Sequence, residues 1–193
     1  MAQLTGSKKI KTAVFISGTG SNLKSLILFS KLKKSPISIN LIISDNSKSK
    51  GLKLGNIFKI KKKIFDFENK NLTETKIISE LKKNKIDLIC LAGFMKILSK
   101  KFINNFKGNI INIHPSLLPK FKGLNTHERA IQNKERYSGC TVHFVNSKLD
   151  SGKIVIQKKV KINKNDTPKT LAKKILIQEH ILYPKAILKI FSL

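Results

Sequence analysis

The sequence predicts an α/β protein, with a mostly parallel sheet flanked by helices, on three observations. Short apolar strand-like runs alternate with helical segments from about residue 13 to residue 114. Runs such as "AVFI" and "DLICLAGF" are apolar at consecutive positions, as expected of strands covered on both faces. Near the C-terminal third the pattern changes, and two strand-like runs are separated only by "NSKLDS", which predicts an antiparallel hairpin. The chain has 193 residues, enough for one domain with a sizeable core, and we read 1–193 as that domain.

In order, Ala13 to Ile16 reads as a buried strand, "SGTGSN" as a glycine loop, and Leu23, Leu26, Ile27 and Ser30 as one face of a helix. "ISINLIIS" is a second strand, "SKGLKLGNIFKI" a lysine-rich helix, and "KIFDF" a short strand. "LTETKIISELKKNK" is an amphipathic helix with Thr73 as its expected cap. "DLICLAGF" is the clearest buried strand; a short helix from Lys100 to Phe106 leads to the strand "NIINIH". After the hairpin of "GCTVHFV" and "GKIVIQKKVKI", a last helix starts at Asp166 or Thr167, with Pro168 in its first turn and Pro184 expected to kink or end it.

A formal charge of +28 first suggests nucleic-acid binding. The basic residues are almost all lysine, with Arg129 and Arg136 the two arginines, and they are scattered rather than gathered in one arm. Base readout and forked phosphate contacts lean on arginine, so a basic nucleic-acid-binding module stands as the non-enzyme alternative. No run reaches the roughly 18 apolar residues of a membrane span, and "MAQLTGSKKIK" lacks the apolar core of an export signal, so the expected compartment is the cytoplasm. Cys90 and Cys140 lie in strand-like runs and read as buried thiols, and no Cys/His spacing suggests zinc.

Three segments carry chemistry. "SGTGSN" places glycines between a strand and a helix, where backbone N–H groups face an anion. The third glycine of a dinucleotide loop is missing, because that position is Leu23, so a monophosphate suits it better. An ordinary turn with Ser21 or Asn22 as helix cap is the alternative. In "NIHP", Asn112 and His114 share a strand face at its C-terminal end and offer two N–H donors to a developing oxyanion. Asp150 lies in the turn-forming "LDSG", either as plain turn chemistry or as a carboxylate that keeps His114 protonated. His127, His143 and His180 read as structural, and Glu179 as a solvent-exposed acid.

Taken together, "VFISGTGSNL", "LAGFMKILS", "NIHPSLLPKFKGLNTHERAI", "GCTVHFV" with "LDSGKIVIQ", and "QEHILYP" resemble, in order and spacing, the phosphoribosylglycinamide formyltransferases. The resemblance implies a Rossmann-like formyltransferase fold with a seven-stranded, mostly parallel sheet. It implies transfer of the formyl group of 10-formyltetrahydrofolate to the amine of glycinamide ribonucleotide in purine biosynthesis. That family's catalytic trio falls on Asn112, His114 and Asp150, its phosphate loop on Gly20, Ser21 and Asn22, and its ribonucleotide-contacting glutamate on Glu179. Its folate segment falls on Met95, Lys96, Ile97 and Leu98, with Lys96 where relatives often carry arginine. The expected partners are these two small molecules, with no metal, nucleic acid or membrane, acting on a monomer or homodimer. Formyltetrahydrofolate hydrolase is the enzymatic alternative; its usual N-terminal regulatory domain has no room here.

Overall fold

A computed structural model describes residues 9–191; the start of the N-terminal stretch read for an export signal lies outside them. Seven strands form one sheet in the order β3-β2-β1-β4-β5-β6-β7: β1 (Ile10–Ile16), β2 (Ile37–Ser44), β3 (Lys61–Ile64), β4 (Leu88–Leu91), β5 (Asn109–His114), β6 (Tyr137–Phe144) and β7 (Ile154–Lys161). The first five are parallel; β6 runs antiparallel to β5, and β7 to β6. The expected mostly parallel sheet with a C-terminal hairpin is therefore present.

Alternation along β1 feeds two cores. Val14 and Ile16 pack with α1 (Ser21–Ser30) and α6 (Pro168–Ile190) on one face. Ala13 and Phe15 pack with α3 (Lys70–Lys83) and α4 (Lys100–Asn105) on the other. Both faces are covered, which is why these strands read as unbroken apolar runs. The chain turns outward to β2 and β3 on one side of β1, and to β4 and β5 on the other. A ligand crevice is expected above the carboxyl ends of β1 and β4, where the order reverses.

Several boundaries differ from the sequence reading. The lysine-rich helix is a 3₁₀ turn, Lys50–Leu52, followed by the short helix α2 (Lys53–Ile57). The third strand is "KKKI", not "KIFDF": its lysines are exposed on an edge, while Phe65 and Phe67 turn into the second core. α3 is capped by Asn69, whose side chain accepts from Leu72 N, and the Thr73 hydroxyl is spent on Asp66 O.

The last helix is capped by Thr167, with a reciprocal Thr167–Thr170 box, and Pro184 does not end it. Proline removes the N–H that would pair with the carbonyl of His180. The Ser25 hydroxyl of α1 donates to that carbonyl at 2.8 Å instead, and Leu182, Tyr183, Ala186 and Ile187 bury both flanks. Ser25→Ala should therefore cost about 1–2 kcal/mol. In a Pro184→Ala background the cost should vanish, because residue 184 regains its own donor. A double-mutant cycle in urea measures the coupling, and equal costs in both backgrounds would reject the account.

Candidate active site

The crevice is present as a cleft of about 550 Å³ over the ends of β4 and β5, with Asn22 of α1 and Glu179 of α6 on its edge. Its floor is set by register. Asn112 on β5 lies directly opposite His143 on β6, and the Asn112 Nδ2 to His143 Nε2 distance is 3.2 Å. His143 Nδ1 lies 2.8 Å from the carbonyl of Phe144, an acceptor only, so that nitrogen carries the proton. In the neutral ring Nε2 is then a bare acceptor, which fixes the amide orientation of Asn112. One Nδ2 hydrogen is held by His143, and the second is left for a ligand.

His114 is buried at 5% exposure, with both ring nitrogens facing acceptors. Nε2 lies 2.9 Å from Phe121 O, and Nδ1 lies 3.4 Å from Asp150 Oδ2. The first contact assigns the proton to Nε2, leaving Nδ1 as the basic atom beside the carboxylate. Burial holds the imidazole pKa below its ordinary value, although Phe121 O and Asp150 pull it upward; His143 and Arg129 push it down. The expectation that Asp150 keeps His114 protonated is thus corrected: desolvation outweighs the carboxylate. A proton that reaches Nδ1 nevertheless finds a partner already in place.

Asp150 itself sits at φ 45, reached by His143 Nε2 at 3.5 Å and by the Gly123 N–H at 2.9 Å. Burial pushes its carboxyl up, but the nearby imidazoles of His143 and His114 and the bond from the Gly123 N–H hold it below its ordinary value. The loop after β5 is fastened to the sheet by Thr141, whose hydroxyl donates to Ser116 O and accepts from Leu118 N.

On the opposite wall, Gly20 (φ 78) is the N-cap of α1, so neither Ser21 nor Asn22 caps this helix. A Cβ on Gly20 would lie 2.6 Å from Gly51 Cα, so the loop packs backbone against backbone. Ser49 Oγ and Gly51 N both donate to Gly18 O and brace the turn. The first helical bond is Lys24 N to Gly20 O, so the amides before it face outward without a side-chain cap, as an anion site requires.

Glu179 is not the exposed acid its sequence context suggests. It is 7% exposed, accepts from Asn22 Nδ2 at 2.7 Å, and is pushed up to about 7 by burial. Asn22 Oδ1 is buried without a partner. A carboxyl whose folded pKa is raised stabilises the fold at low pH, and that contribution is lost as pH rises from about 4.5 through about 7. Glu179→Gln should therefore gain up to about 3 kcal/mol over the parent at about pH 8, and little at about pH 4.5. Urea denaturation at both pH values tests this; a gain independent of pH would reject it.

The third wall is the segment after β4. Met95 and Ile97 are 63% and 61% exposed on the cleft, with Lys96 between them, whereas Leu98 is buried in the second core and anchors the segment. Ser17 Oγ accepts from Met95 N, and Glu74 of α3 holds both the N–H and the hydroxyl of Ser99. This gives a flat ligand two apolar contacts and a fixed backbone.

All eleven residues singled out in the sequence lie on this cleft or its glycine loop. Sequence reasoning missed His143, whose cross-strand position needs the β5–β6 register to be seen. It also missed His127, which lines the cleft with a buried, unpartnered Nδ1. His180 stays outside the cleft lining.

A profile of the formyl transferase family matches residues 10–187. A phosphoribosylglycinamide formyltransferase of Haemophilus influenzae is 41% identical over 180 residues, 92% of this chain and 85% of that protein. The human trifunctional purine biosynthetic protein adenosine-3 is 39% identical over 93% of this chain, which spans only 18% of that longer protein's length. Among solved structures, the phosphoribosylglycinamide formyltransferase of Brucella melitensis superposes with a TM-score of 0.90 at 41% identity, covering 96% of each chain.

Proposed function

The chain belongs to the formyl transferase family, and from that premise we propose that it transfers the formyl group of 10-formyltetrahydrofolate to the amine of glycinamide ribonucleotide. The observation that carries this reading is the convergence of Asn112, His114 and Asp150 on one cleft beside an uncapped helix N-terminus. Gly20, Ser21 and Asn22 hold the substrate phosphate, Glu179 and Asn22 the sugar, and Met95 to Leu98 the folate ring.

The amine attacks the formyl carbon, a C–N bond forms, and the carbonyl electrons move to oxygen. The free Nδ2 hydrogen of Asn112 meets that oxyanion. The proton released by the attacking nitrogen passes, through water, to Nδ1 of His114, where Asp150 stabilises the imidazolium; this positive ring adds to oxyanion stabilisation. Collapse breaks the bond to N10, which takes the proton back. Protonation during the reaction, rather than before it, fits a ring whose resting pKa is low. The chemistry calls for no metal. Residues 1–193 act as one domain on small molecules in the cytoplasm, as a monomer or homodimer.

The test is turnover with both substrates. Formylated ribonucleotide and tetrahydrofolate in equal amounts are expected. Free formate without any need for ribonucleotide would make the protein a hydrolase. No folate turnover by folded protein, with salt-sensitive binding to generic DNA, would make the chain a basic nucleic-acid-binding domain instead.

A further inference from the structure

The loop segment 121–125 faces the catalytic groups on one side and α5 (Thr126–Gln132) on the other. Phe121 (φ 55), Gly123 (φ 76) and Asn125 (φ 56) are left-handed; glycine and asparagine adopt this conformation readily, but phenylalanine holds it only when neighbours impose it. On the inner side, Phe121 O takes the Nε2 proton of His114, and two residues on, the Gly123 N–H donates to Asp150 Oδ2. On the outer side, one nitrogen of Arg129 donates to both Lys122 O (2.7 Å) and Leu124 O (3.3 Å). The guanidinium carbon also lies 5.3 Å over the ring of Phe121. Inner and outer contacts alternate along four consecutive residues, so the arginine fixes the carbonyl and amide that set the His114–Asp150 geometry.

We propose that Arg129 is a positioning residue for formyl transfer, acting through Phe121 to Leu124 to hold His114 and Asp150 at their working distance. The proposal rests on the reading of those two residues as the catalytic pair. A lysine does not replace it: one guanidinium nitrogen serves both carbonyls while the rest of the delocalised group sits over the Phe121 ring, and a compact, hydrated ammonium cannot occupy both places at once. The composition accords with this. Among 39 basic side chains only Arg129 and Arg136 are arginine, in a chain that uses lysine everywhere else.

Arg129→Lys and Arg129→Met, made in the full chain, test the proposal by kinetics and by an NMR titration of the His114 ring. In Arg129→Lys, kcat should fall about 10–100-fold with KM for the ribonucleotide within about threefold, as for a slight misplacement of catalytic groups. The His114 pKa should also fall, because the carbonyl that raises it is no longer held while the nearby charge is kept. Arg129→Met loses the charge as well, so its His114 midpoint should lie above that of the lysine variant. A lysine variant with the parent's kcat and His114 titration would overturn the proposal. So would a loss of kcat that merely tracks thermal unfolding with an unshifted titration. If the parent fails to turn over these substrates, the functional reading falls, and the titration alone decides whether Arg129 sets the pair.

Discussion

Asn112→Ala is expected to lower kcat by about 10²–10³ with a much smaller change in either KM. That is the usual cost of losing one preorganised oxyanion donor. The amide is oriented before substrate arrives, since His143 Nε2 takes one of its hydrogens and the Nδ1 of that ring is tied to Phe144 O. The second hydrogen therefore needs no reorganisation to meet charge that develops in the transition state. An interaction made only there lowers kcat and kcat/KM together, and steady-state kinetics with both substrates read that signature. Asn112→Asp is the sharper contrast. It keeps the shape but turns a donor into a charged acceptor, and it should be at least as damaging as alanine. An alanine variant within tenfold of the parent kcat would remove Asn112 from the oxyanion role.

How much of this was legible in the sequence depends on how far apart the interacting residues lie. The β4 and β5 runs declared themselves because both faces are buried, and Asn112 and His114 were legible as neighbours at a strand end. The family's motif order carried Asp150, but its approach to His114 was not readable from spacing alone. That approach depends on the β5–β6 register and on left-handed Phe121, a conformation that no local residue preference announces. Glu179 reads as a lone exposed acid until α6 is packed on α1 and meets Asn22, far away in sequence. Pro184 reads as a helix breaker because the hydroxyl that replaces its missing donor comes from Ser25, on another helix. Local chemistry was visible in each case, and the long-range partner that decides its meaning was not.

Asp150→Asn should lower kcat by about 10²–10⁴, the range spanned by general acid–base catalysis. The substitution is nearly isosteric, and an amide oxygen still accepts the Gly123 N–H, so the loop keeps its anchor. What changes is the field at Nδ1 of His114. The carboxylate raises the affinity of that ring for a proton, against burial and the neighbouring His143 and Arg129 that lower it. Without the carboxylate the imidazole pKa falls further, and a proton arriving from the attacking amine has a weaker destination. The limb of kcat/KM that requires neutral His114 should therefore move to lower pH while the plateau drops. Stability should move as well. A carboxyl depressed in the folded state contributes stability above its unfolded pKa, which is lost as pH falls through the folded value. The asparagine variant should thus be less stable than the parent near neutrality and approach it in acid. A pH–rate profile and urea denaturation across the same range separate the two effects. An unshifted limb with a normal plateau would mean that His114 works without its carboxylate, and the proton path proposed for formyl transfer would have to run elsewhere.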